Sequence, residues 1–180
     1  MKNKFRYLKK DQRKKILLLS DDIRMHSGVG NMGKEIVLGT AHHFNWVQIA
    51  AAMKHPEEGK AFDLSEQVNK EVGLEDSYVR LIPTSGYGNA KMVRDVIDLE
   101  KPDVILIFTD PRYWTWLFEI EREIRKEMPI TWLNIWDDYP APLYNRPYYE
   151  SVDTLMAISK QTKNINELVL DEKAVDKIIE

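Results

Sequence analysis

Short unbroken apolar runs alternate with amphipathic stretches along this chain. The first run, Ile16-Leu17-Leu18-Leu19, is ended by Ser20-Asp21-Asp22. A continuous run of this length predicts a strand covered on both faces. Residues 44–52, 78–82, 104–108, 130–136 and 154–158 repeat the signal, with Pro83 ending the third strand. Helical spacing predicts helices over 34–41, 64–72, 90–99 and 112–128, and another that starts at Lys160. Their boundaries carry the usual signals: Gly73 as a stop, Asn89 and Ser159 as N-caps, and Pro129 as a breaker. A helical turn is expected over 148–151 and a short helix over 171–180.

Strand and helix alternate throughout. That order predicts an α/β domain: a mostly parallel, Rossmann-like sheet with helices on both faces. Ligands bind such sheets at the carboxyl ends of the strands. The loops to inspect are therefore 20–33, 83–89, 109–114 and 137–142, all rich in Gly, Asp, Pro and aromatic residues.

Gly28-x-Gly30-x-x-Gly33 matches the dinucleotide fingerprint in spacing but not in context. The fingerprint needs its first glycine at the strand end and an acid closing the next strand. Here residues 21–27 intervene, and the second strand runs into Met53-Lys54-His55. NAD(P) binding is thus disfavoured. The glycines either permit a tight turn or let the loop face a substrate or a sugar nucleotide.

Composition narrows the classes. The chain has 180 residues, 43% hydrophobic and 31% charged, as in an ordinary globular domain. A net charge of −3 gives no indication of nucleic-acid binding. The absence of cysteine removes disulfides and thiolate metal sites. No apolar run approaches the roughly 20 residues of a membrane span, and the basic N-terminus lacks the apolar core of a signal peptide. A cytoplasmic protein is expected. Residues 1–14 carry seven cations against Asp11 and read as a solvated, partly mobile arm.

No metal site is expected. His42 and His43 follow a helix end, where they suit the dipole. The pairs Asp21-Asp22 and Asp137-Asp138 are adjacent, and neighbouring side chains of a strand point to opposite faces. Asp110 and Asp138 read either as ligand contacts or as loop caps. Trp114, Trp116, Trp132 and Trp136 read either as core or as rings that stack on a sugar.

Three segments in order, SDDIRMHSGVGNMGKEI, ITWLNIWDDYP and SVDTLMAISKQTKNI, give residues 15–168 a family likeness. They resemble the N-terminal, acceptor-side half of a GT-B glycosyltransferase of the family-4-like kind. The resemblance implies a metal-independent transferase, with no cofactor, that moves a sugar from a nucleotide-sugar donor to an unknown acceptor. It also implies a second, donor-binding domain or subunit, with residues 169–180 as a terminal helix or the start of a linker. Carried onto this chain, it implies that Gly28, Val29 and Gly30 approach the donor phosphates or the acceptor. Asp137 and Asp138 would contact sugar hydroxyls, one of them assisting deprotonation. Asp110 would orient the acceptor, and Arg112, Tyr113 and Tyr87 would shape its site. The family often has histidine where Asp137 and Asp138 stand. Its donor half often carries two glutamates seven residues apart. Glu119/Glu127 and Glu58/Glu66 share that spacing without the glycine-rich context. A non-catalytic Rossmann-like binding or assembly module is the alternative.

Overall fold

The computed structural model describes residues 7–52, 54, 56–171 and 177–179. One eight-stranded sheet has the order β3-β4-β2-β1-β5-β6-β7-β8. In chain order the strands are β1 (Lys14–Asp21), β2 (Phe44–Ala51), β3 (Phe62–Asp63), β4 (Val79–Pro83), β5 (Val104–Phe108), β6 (Ile130–Asn134), β7 (Thr154–Ala157) and β8 (Ile178–Ile179). All pair in parallel except β3, which runs antiparallel to β4. The helices are α1 (Gly28–Thr40), α2 (Ser65–Val72), α3 (Ala90–Glu100), α4 (Thr115–Glu119), α5 (Glu121–Ile124), α6 (Arg146–Glu150) and α7 (Lys160–Leu170). The expected α/β architecture with a mostly parallel sheet is the observed one.

The leucine run explains the centre. β1 pairs with β2 on one side and β5 on the other, so Leu17 lies beside both Val47 and Ile105. Leu17 and Leu19 point to the face covered by Val93, Val96 and Ile97 of α3 and by Ile165 and Val169 of α7. Ile16 and Leu18 point to the face covered by Val37 of α1 and Val68 of α2. Leu17, Leu18 and Leu19 are fully buried, and each contributes about 1.5–3 kcal/mol of apolar burial.

The amino-terminal edge is closed by ions. Glu100, at the end of α3, is 4% exposed. It accepts from Tyr78 Oη at 2.6 Å, Lys15 Nζ at 3.0 Å and Arg80 Nη1 at 3.0 Å. Arg13 is buried and pairs with Asp76. The basic N-terminal stretch is thus anchored at its end, while residues 1–6 lie outside the described part.

Several expectations are corrected. The helix after β1 begins at Gly28, not Lys34, because Ser27 caps it by accepting from Gly30 N. The strand over 130–136 stops at Asn134. The loop before Leu64 contains β3. The long helix over 112–128 is three pieces: a 3-10 turn (Pro111–Trp114), α4 and α5, with Ile120 at the break. Trp114, Trp116 and Phe118 are each two residues apart, so a straight helix would aim neighbours to opposite sides. The change from 3-10 to α geometry between Trp114 and Thr115 lets Trp114 bury fully while Trp116 and Phe118 still pack on the core. The helix expected over 171–180 is replaced at residues 178–179 by β8, and residues 172–176 lie outside the described part.

Candidate functional site

The strand order reverses at β1, between β2 and β5. In open α/β sheets the loops after two such strands leave toward opposite faces, and ligands bind in the crevice between them, at the carboxyl edge; here these are the loops after β1 and β5. The loop after β1 is pinned from below by Gln48 of β2, which is buried. Its Nε2 donates to Ser20 Oγ and to the Asp21 carbonyl, both at 2.7 Å, and its Oε1 accepts from Ile23 N at 3.2 Å.

The two adjacent aspartates take different roles. Asp22 is 1% exposed and holds Arg24 through its backbone N–H (2.8 Å) and its guanidinium (2.6–3.2 Å). Asp21 stays half-buried, with no cation paired to it among the described residues. Its Oδ2 accepts from Ser27 Oγ at 3.3 Å and its Oδ1 from Tyr87 Oη at 3.4 Å. Burial pushes the Asp21 carboxyl above the usual range, more than these two hydroxyls draw it down.

Tyr87 reaches Asp21 because its flanking glycines allow the loop after β4 to fold back. Gly86 and Gly88 have φ of 66° and 75°, a left-handed region that favours glycine. The Tyr87 ring stacks on Tyr113 with centroids 4.3 Å apart and planes 5° apart, and meets Trp114 edge-on. Burial first, then the negative charge of Asp21, raises the Tyr87 hydroxyl above its ordinary value.

After β5, Asp110 caps the 3-10 turn by accepting from Arg112 N at 2.9 Å. Its two oxygens also take the Arg112 guanidinium in a fork at 2.5–3.1 Å. Burial raises the Asp110 carboxyl, but the Arg112 bonds prevail and hold it below the usual range. The guanidinium lies over Trp136 (5.9 Å) and Tyr144 (5.6 Å). These groups border a trough of about 310 Å³ between the ends of β5 and β6, lined by Thr109, Asp110, Asn134, Trp136, Asp137 and Asp138.

The trough wall is fixed from the core. Asn134, 3% exposed, donates through Nδ2 to Tyr149 Oη (2.8 Å) and Asn166 Oδ1 (2.6 Å), and accepts at Oδ1 from Trp136 N (3.1 Å). Burial leaves the Tyr149 hydroxyl pushed up to about 12. Trp136 Nε1 donates to the Asp138 carbonyl and Gln161 Nε2 to the Asp137 carbonyl. The loop is held mainly by its backbone; Asp138 also caps it, its Oδ1 accepting from Tyr139 N at 2.8 Å, and both aspartates are exposed.

The residues singled out in the sequence all lie at this edge, in two groups. Tyr87 reaches Asp21 and carries Tyr113 stacked on it, while Asp110, Asp137 and Asp138 line the trough and Arg112 is forked onto Asp110. Trp114 and Trp132 are core, and Trp136 is a wall. The glycines divide. Gly28 is exposed with open space at its α-carbon and Val29 is half-buried, whereas Gly30 is buried against its own loop. A Cβ at Gly30 would lie 2.7 Å from the Met25 carbonyl oxygen and 2.9 Å from that of Asp22. Alanine in a helix normally gains about 1 kcal/mol over glycine. Here the clash with backbone reverses the sign. Gly30→Ala is expected to cost about 1–3 kcal/mol, read as a lower urea midpoint, while Gly28→Ala is neutral or slightly stabilising.

Sequence reading missed Asp21, Ser27 and Asn134. The available signal for Asp21 was its place: a polar residue ending the central, most apolar strand.

No family model matches the chain, and no curated protein matches it. Among solved structures it is similar to UDP-GlcNAc 2-epimerase from Neisseria meningitidis, solved bound to UDP-GlcNAc. The TM-score is 0.50 and the identity 16%, over 92% of this chain and 45% of that one. The chain thus spans less than half the length of that enzyme. The likeness is one of fold: a mostly parallel α/β sheet similar to one half of a GT-B-like enzyme.

Proposed function

We propose that this chain is the acceptor-binding half of a sugar-nucleotide enzyme, and that the reaction is transfer of a sugar from a nucleotide-sugar donor to an acceptor hydroxyl. The observation that carries the reading is Asp21. Among the described residues it is a carboxylate with no paired cation, raised by burial, at the switch point of a fold like that of half a nucleotide-sugar enzyme. A base is most effective when its pKa approaches the working pH. Asp21 takes the proton of the acceptor hydroxyl as that oxygen bonds to the anomeric carbon. The bond from that carbon to the diphosphate breaks, and the nucleoside diphosphate leaves. Tyr87 and Ser27 position Asp21, and Tyr113 offers a ring to the acceptor. Asp137 and Asp138 hold acceptor hydroxyls rather than deprotonate them, since both are exposed. Gly28 and Val29, at the start of α1, present N–H groups toward the donor phosphates. A second domain or subunit supplies the rest of the donor site.

The test is thermal unfolding with UDP, GDP, ADP, their sugar conjugates and NAD(H). One nucleotide sugar is expected to raise the midpoint more than its free diphosphate does. At a hundredfold excess over Kd, the stabilisation is about 2.7 kcal/mol, roughly 5–10 °C for a chain of this size. A response to NAD(H) alone would overturn the reading. No response to any nucleotide would fit a non-catalytic binding module and, equally, an acceptor half without its donor domain.

A further inference from the structure

Behind the trough wall, where β6, α6 and α7 meet, the core is polar. Asn134, Asn145, Tyr149 and Asn166 are all buried there, the last three completely. The bonds of Asn134 fix which way its neighbours face. Its Oδ1 is taken by Trp136 N, so its Nδ2 is the end that donates to Tyr149 Oη and Asn166 Oδ1. Asn166 therefore spends its oxygen on Asn134, and its Nδ2 has no partner among the described residues. Asn145 stands one turn before Tyr149, close enough to affect that hydroxyl. Neither its Nδ2 nor its Oδ1 has a hydrogen-bond partner among the described residues. Tyr149 Oη accepts from Asn134 and keeps a proton to give. Donors and an acceptor are thus left over within one buried cluster. Buried polar groups without a partner are costly, and in folded proteins nearly all of them find one.

We propose that this cluster is a site for internal water, with at least one molecule bridging Asn145 and Asn166 beside Tyr149. The leftover groups select water among small ligands. A cation is repelled by the N–H donors, and an anion by the Asn145 carbonyl oxygen. Water offers lone pairs to the two amides and protons to an acceptor, and a buried water makes about three such bonds. The proposal is independent of the function proposed above, but it bears on the candidate site. The water completes a chain from Asn145 through Asn166 and Asn134 to the backbone of Trp136. A side chain sealed in the core thereby holds the trough wall in place.

Water–protein cross-relaxation, measured by NMR on the isotope-labelled chain, tests this. The side-chain amide protons of Asn145 and Asn166 are expected to show contacts to water. The NOE and ROE of those contacts should have opposite signs, the signature of a bound molecule rather than of proton exchange. Asn145→Leu separates a wet cluster from a dry one. In a dry cluster, leucine removes two orphan polar atoms and raises the thermal midpoint. With water present, leucine displaces it and leaves Asn166 and Tyr149 unpaired. The midpoint is then expected to fall by roughly 2–8 °C, and the Trp136 amide hydrogen to exchange faster with solvent. Amide protons without a water contact, or a leucine variant of higher midpoint, would each overturn the proposal. So would a parent chain whose midpoint rises with chloride and not with gluconate, since that shows an anion at the site. Should the leucine variant not fold, the water contacts of the parent chain decide alone.

Discussion

Asp21→Asn is expected to reduce sugar transfer by roughly 10²–10⁴-fold, the usual loss when a general base is removed, while making the fold more stable near neutral pH. The two effects have one cause. Asp21 is desolvated by more than the Ser27 and Tyr87 hydroxyls compensate, so its folded-state pKa lies above the ordinary carboxylate value. Between those two values the folded chain binds more protons than the unfolded chain. Stability therefore falls as pH rises through that window, and the penalty is complete above the raised value. Asparagine does not ionise and still fits the Ser27 and Tyr87 hydroxyls. The variant should have the higher thermal midpoint at pH 7, with the advantage vanishing once the pH drops below the ordinary carboxylate range. Midpoints across pH 3–8, with transfer rates at saturating acceptor, check both halves. A less stable variant at pH 7 would show that the Asp21 charge is favoured by its surroundings. Asp22→Asn is the contrast: it loosens Arg24 and should destabilise.

The largest structural loss is expected at the opposite edge. Glu100→Ala leaves Lys15, Arg80 and Tyr78 without their shared acceptor and should cost about 3 kcal/mol, the low end for breaking a buried ion pair, because Lys15 and Arg80 still reach water. That corresponds to a fall of roughly 6–12 °C in the thermal midpoint. Burial alone would raise the Glu100 carboxyl, but the bonds from Tyr78 and Lys15, with Arg80, prevail and hold it below its ordinary value. Its contribution is present above the unfolded carboxylate pKa and is lost as pH falls through the lower folded value. The gap between wild type and variant should accordingly close in acid. Ligand binding by the folded fraction should not change, since Glu100 lies at the amino edge and the crevice at the carboxyl edge.

The fold was legible because parallel strands buried on both faces leave continuous apolar runs. Leu17-Leu18-Leu19 and Val104–Phe108 could hardly be read otherwise. Caps were legible for an equally local reason: Asn89 accepts from Met92 N, and Ser159 from Thr162 N. β3 and β8 were not, since two residues carry no periodicity and their pairing is set by distant strands. The region 112–128 misled because its polar spacing is helical, while its aromatic residues demand more faces than one helix has. At the candidate site, the loops were found from topology. What sequence could not supply was the division of labour within Asp21-Asp22. That depends on Arg24 folding back to one and Tyr87 arriving at the other from a loop more than sixty residues away.

The central position of β1 also orders events during synthesis. Its β2 edge finds a partner by residue 51, and the β4 and β3 strands complete that side by residue 83. Its β5 edge stays unpaired until residues 104–108 have been made. A nascent chain halted before Val104 therefore presents an open, apolar parallel edge made of Leu17, Leu18 and Leu19, the kind of edge that pairs with other chains. Translation speed between residues 83 and 108, and the holdase capacity of the host, should govern the yield of soluble protein more than changes near the crevice do.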